Sequence, residues 1–169
     1  MATAAKPLQH AFEIRIRGSI QAVWDEITKR GAVQRPLMDT VLECDLKPGS
    51  PFRYTSPNGK YAMVSGKILE IEPPRRLVHT YQFSHLQDPP SRIVWELEQV
   101  GEEVRVTLLH DDFTGETQTY KMVKGGWAQI LANLKSWIET GNIPLGARFQ
   151  YAIFRVMMPF VLPKQCRIK

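Results

Sequence analysis

Four histidines carry the side chains that can exchange protons near neutral pH. Two of them sit in a telling pattern. Leu77, His79, Tyr81 and Phe83 recur at every second position, and so do Val106, Leu108 and His110. A period of two places such residues on one face of a strand, here the apolar one. An imidazole facing inward can hold the polar end of a ligand or act as a general acid or base, with Tyr81 as its neighbour. The commoner fate is a histidine hydrogen-bonded inside the core, because buried polar groups find protein partners. His10 and His85 stand at a strand start and in a polar loop, where solvation is expected. His110-Asp111-Asp112 has the composition of an acid–base cluster, yet alternation sends Asp111 to the face opposite His110. No third ligand at fixed spacing accompanies the histidines, so neither a metal nor another cofactor is expected.

Larger catalytic signatures are missing: there is no G-x-S-x-G elbow, phosphate-binding loop, H-E-x-x-H pair or dinucleotide fingerprint. His79, His110 and Tyr81 are therefore the candidates for any proton transfer, and no catalytic residue is assigned. A ligand pocket needs a mostly apolar lining with a few polar tips. The inward-facing strand residues Tyr54, Met63, His79, Tyr81, Trp95, Leu97, Leu108 and His110 supply that mixture. Trp127, Leu131 and Leu134 of a later helix complete it.

The elements that position these residues can be read from periodicity. His10 to Arg17 alternates as a half-buried strand, and Ser19 is placed to cap the helix in which Ile20, Val23, Trp24 and Ile27 recur. From Thr40 onward, runs at 41–46, 52–55, 61–71, 76–83, 91–99 and 104–110 are separated by Pro, Gly and Asn turns. Asn58-Gly59 is the clearest of these. Strands with no helix between them imply hairpins and an antiparallel sheet of about six to seven strands. A long helix follows within 117–140, with Trp127, Ile130, Leu131, Leu134 and Ile138 on one face and Asn133 away from it. Gly141 is its expected C-cap, and Gly125-Gly126 should mark a break or close packing. The economical α+β solution is a sheet curled around the long C-terminal helix.

Several segments together resemble a known superfamily. Phe12-Glu13-Ile14-Arg15-Ile16 with Val23-Trp24-Asp25-Glu26-Ile27-Thr28 resembles the opening strand and helix of the SRPBCC proteins, also called START-like or Bet v-like. Gly66 to Leu77 resembles a "G-x-I/V-x-E-x-x-P-P-x-x-L" segment of the branch related to the C-terminal domain of the activator of heat-shock-protein-90 ATPase. Trp95-Glu96-Leu97-Glu98 with Thr107-Leu108-Leu109-His110 resembles its last hairpin, and Gly126-Trp127 through Glu139 its "GW-x-x-I-L-x-N-L-K" helix. The resemblance implies a helix-grip fold with a cavity between sheet and helix. Such cavities hold hydrophobic small molecules and in some branches host polyketide cyclisation. It divides the chain into a flexible N-terminus at 1–9, a helix-grip domain at 10–142 and a tail at 143–169.

The tail explains the charge. The chain of 169 residues has 22 Lys and Arg against 17 Asp and Glu, a formal net charge of +5. Arg148, Arg155, Lys164, Arg167 and Lys169 account for the whole excess, which leaves the body neutral. A neutral body argues against a basic nucleic-acid face, so no nucleic-acid partner is expected. Read as a helix ended by Pro159 and Pro163, the tail is apolar on two sides. Leu145, Phe149, Ile153, Val156 and Phe160 lie on one, and Tyr151, Phe154 and Met158 nearly opposite. Such a segment packs into the body, pairs in a homodimer, or lies on a membrane; packing or pairing is the expectation, ahead of membrane contact. Two distant cysteines and an N-terminus without an apolar signal core fit a cytoplasmic protein. Three functions remain in view: a binding module for a hydrophobic or lipid-like small molecule, a cyclase or aldol-type enzyme using the same cavity, and a protein-interaction module.

Overall fold

A computed structural model describes residues 8–168, so most of the expected N-terminal segment lies outside the described residues. Strand β1 (His10–Arg17) leads to helix α1 (Ile20–Ile27), capped by Ser19 Oγ, which accepts from the Ala22 amide at 3.1 Å. Strands β2 (Val33–Gln34), β3 (Thr40–Cys44), β4 (Pro51–Thr55), β5 (Ala62–Glu72), β6 (Arg76–Phe83), β7 (Ser91–Val100) and β8 (Glu103–Asp111) follow. Helix α2 (Gln118–Thr140), helix α3 (Leu145–Val161) and a 3-10 turn (Lys164–Cys166) complete the chain.

The strands form one antiparallel sheet in the order β1-β8-β7-β6-β5-β4-β3-β2. Eight strands exceed the expected number by one. The addition is β2, whose two residues are too few to show any alternation. Strand β3 also ends two residues early, before the left-handed turn at Leu46 (φ 52°).

The sheet curls, and Gly66 shows how tightly. A Cβ there would stand 2.1 Å from the Thr80 carbonyl oxygen and 2.6 Å from the Phe52 ring. Register shifts flank the site in both neighbouring pairings, between Tyr54 and Thr55 and between Ile68 and Glu70. Bulges of this kind bend a sheet and raise its twist. The concave face meets α2 through Val123, Trp127, Leu131 and Leu134, which join the strand residues in one apolar core. The convex face carries paired charges, among them Arg92 on Asp111, Arg76 on Glu70 and Glu96, and Arg105 on Glu98. These surface pairs add little stability.

Helix α2 departs from expectation at two points. It runs unbroken through Gly125 and Gly126, where an added Cβ would meet nothing within 4 Å. Asn133 is buried because α3 covers that side, and its amide donates to the Tyr151 hydroxyl at 2.6 Å. Gly141 closes the helix in the left-handed conformation, as expected. Helix α2 also screens the free edge of β1: Lys135 donates to the Arg15 carbonyl, and Glu139 accepts from the Arg17 amide.

The tail folds back as α3. Ala147 and Tyr151 pack with Ile143 and Trp137, while Met158 packs with Tyr61 and Cys166. Arg155 pairs with the buried Asp39, the Ile168 amide donates to the Lys60 carbonyl, and Gln165 donates to the Ser84 carbonyl. The helix passes through Pro159 and ends two residues later, although proline cannot donate within it.

Candidate functional site

Ten of the eleven expected lining residues are buried on the concave side, and Met63 is half-buried. They divide into two zones. Trp95, Leu97, Leu108, Leu131 and Leu134 fill the middle of the core together with Val104 and Val106. Tyr54, Met63, His79, Tyr81, His110 and Trp127 gather with Phe52, Phe83 and Phe113 toward the other end.

Register explains the second zone. Cross-strand pairing places His79 opposite Ile93, Ile93 opposite His110, and His110 opposite His10, one row across four strands. Tyr81 is the hub, its ring 5.1 Å from His110, 5.2 Å from Phe83 and 6.0 Å from Trp127. His10 is not simply solvated: its Nε2 lies 2.8 Å from the Tyr120 carbonyl oxygen and its ring stacks on Tyr120 at 4.3 Å. His85 is half-buried against Phe83.

His110 is fully occupied. The indole of Trp127 can only donate, so its 2.9 Å bond fixes His110 Nδ1 as the acceptor. The proton then sits on Nε2, which donates to Ser91 Oγ at 2.6 Å, and that hydroxyl donates onward to the Tyr81 carbonyl. Burial, helped by the neighbouring His79 and His10, pushes the His110 pKa down to about 3. His79 donates from Nδ1 to the Thr80 carbonyl at 2.8 Å, which leaves Nε2 as a bare lone pair. Burial pushes its pKa down to about 4. Both imidazoles are neutral at pH 7. Ser91 is a site residue that the spacing of the histidines did not reveal, since its link to His110 crosses strands; the Phe113 ring, three residues beyond His110, lies 4.5 Å from it. Asp111 turns outward to Arg92, as alternation requires.

Tyr54 and Tyr81 differ from the histidines. Their hydroxyls have no hydrogen-bond partner among the described residues, and the side chains keep 9% and 8% of their surface. Burial raises both phenols well above their ordinary pKa, so both stay protonated and able to donate. Helix α3 lies over this end of the interior. Met63 touches the main core on one side and the Tyr61–Met158–Cys166 cluster, with Phe154, on the other.

Two recesses lie away from this zone. One recess of about 480 Å³ is lined by convex-face residues including Glu13, Arg75, Glu96 and Arg105, and another of about 450 Å³ by Arg17, Lys135 and Glu139. Of the expected lining, only Leu97 borders either of them. Among the described residues no group of three or more His, Cys, Asp or Glu is placed to hold a metal.

Comparison with known proteins agrees with this architecture. The family model described as activator of Hsp90 ATPase homolog 1-like protein matches residues 17–139. CalU16 from Micromonospora echinospora is 24% identical, with a TM-score of 0.64 over 88% of this chain and 84% of that one. An HSP90 activator from Plasmodium falciparum, PFC0360w, is 20% identical with a TM-score of 0.63, covering 75% of this chain and 93% of that one. The Aha1 dimer from Colwellia psychrerythraea is 17% identical with a TM-score of 0.65, covering 79% and 98%. Likenesses this distant speak for the fold alone. No curated protein matches the chain.

Proposed function

The chain belongs to the activator of Hsp90 ATPase homolog 1-like family, and from that premise we propose that it is a non-enzymatic binding module for a hydrophobic or lipid-like small molecule. The ligand occupies the aromatic end of the concave face under α3. The observation that carries this reading is the pair of unpartnered hydroxyls, Tyr54 and Tyr81, in an otherwise apolar interior. Gln34 Oε1 is the one fully buried side-chain polar atom without a partner among the described residues, so these two hydroxyls keep contact with solvent and are free to donate to a ligand carbonyl or carboxyl. The lone pair on His79 Nε2 supplies an acceptor for a ligand hydroxyl. Met158 and Phe154 of α3 pack with Tyr61 and Met63 at this end, so a ligand entering there would pass beside α3.

The enzymatic reading draws little support from these groups. A histidine with both nitrogens engaged, whose pKa is about 3, is a poor proton shuttle near pH 7. The interaction reading has one observation in its favour: the recess at Arg75 and Glu96 lies on the charged convex face.

Native mass spectrometry of gently purified protein separates the two surviving readings. A co-purified small molecule is expected, and its release should accompany a loss of thermal stability. A clean apo mass, together with no stabilisation by long-chain fatty acids or sterols, overturns the binding reading. Stimulation of a heat-shock ATPase by that apo protein would then favour the interaction role.

A further inference from the structure

Helix α3 has two apolar faces, and only one of them is used. Tyr151, Met158 and Ala147 are buried against the body. Successive helical residues are rotated by about 100°, which puts Leu145, Phe149, Ile153, Val156 and Phe160 on the face directly opposite. That face is open: Phe160 is 87% exposed, Leu145 77%, Val156 72% and Phe149 70%. A continuous stripe of large apolar side chains on a helix is more than a soluble monomer ordinarily leaves in water.

Charge indicates what covers it. Exposed Arg148 lies beside the stripe in the first turn of α3, and exposed Lys164 and Arg167 follow its far end. No acidic residue follows Glu139 in the sequence. A second copy laid antiparallel on the stripe would bring Arg148 of one chain toward Lys164 of the other, with no carboxylate from either α3 to compensate. An anionic surface suits the same arrangement, with phenylalanines in the acyl boundary and cations at the head groups. No helix of the structure is long and apolar enough to cross a membrane, so contact would be along the surface.

We infer that the outward face of α3 is a docking surface for an anionic lipid bilayer. Leu145, Phe149, Ile153, Val156 and Phe160 enter the interface, and Arg148, Lys164 and Arg167 meet lipid head groups. The assignment does not depend on whether the interior holds a ligand.

Co-sedimentation of the full chain with vesicles tests it. Binding is expected to phosphatidylcholine vesicles containing about one-third phosphatidylserine, weakening as salt rises, and to be far weaker on pure phosphatidylcholine. Phe149→Ser with Phe160→Ser should reduce binding roughly tenfold or more, because each ring gives up its transfer into the interface. Both side chains are exposed, so circular dichroism and monomer thermal stability should be unchanged. Arg148→Gln with Lys164→Gln should remove most of the salt dependence. Folded protein that binds neither vesicle, or binds both equally, overturns the proposal. So does a stable dimer in sedimentation equilibrium that Phe160→Ser dissociates, since the face would then belong to a second copy.

Discussion

Lowering the pH from 7 to 5 should cost this fold about 4 kcal/mol, from two histidines alone. The folded-state pKa values of His79 and His110, about 4 and about 3, lie below the ordinary value of 6.5. Between those limits the unfolded chain binds protons that the folded chain refuses. Stability is therefore full above pH 6.5 and falls as the pH drops, with His79 contributing down to about pH 4 and His110 to about pH 3. Each contributes about 1.4 kcal/mol per pH unit within its window. Asp88, held down by hydrogen bonds from Thr119, and Glu139, held down by Lys135, act only at lower pH. Urea unfolding at pH 7 and pH 5 measures the difference, and His79→Gln should remove about half of it. Equal midpoints at the two pH values would mean that the His79–His110 row is hydrated and able to charge in the folded state.

Gly66→Ala is expected to destabilise the protein by about 3 kcal/mol or more, which lowers Tm by about 10 °C in a chain of this size. The added methyl would stand 2.1 Å from a backbone oxygen, that of Thr80, which cannot turn aside as a side chain can. Phe52 would also have to leave its place over the glycine. Relief requires β5 to separate from β6 near the register shift. Gly125→Ala is the matched control. Its methyl meets nothing within 4 Å in the middle of α2, so it should stabilise by about 0.5–1 kcal/mol. A Gly66→Ala protein as stable as the control would show that the sheet can bend without the glycine.

These two sites mark how far the sequence could be read. Alternation alone placed His79 and His110 on the inner face, because side-chain direction in a strand is a local property. It could not supply Ser91 and Trp127, the partners that hold His110 neutral, because they come from a different strand and from the long helix. Gly66 stood out only as the first residue of a family-like segment, since its crowding comes from Phe52 and Thr80 across the sheet. Asn133 was read only as lying away from the apolar face of its helix, because its burial depends on a second helix, α3. The two-sided apolarity of 145–160 was legible and real; which side would be buried was not. How much space the interior leaves was not legible either, because residue types in a sheet specify what faces inward but not how closely it packs.

The edge of the sheet sets an order of events during synthesis. Strand β1 is made first, yet its strand partner is β8, with His10 paired to His110. At roughly 5–20 residues per second, β1 waits on the order of 5–20 s for that partner. Its other edge waits longer, until Lys135 and Glu139 of α2 have been added. Throughout that interval Phe12, Ile14 and Ile16 form an unpaired apolar strand, free to join another chain. Yield in fast, high-level expression should therefore be limited by this nascent segment, even though the finished fold hides both of its edges.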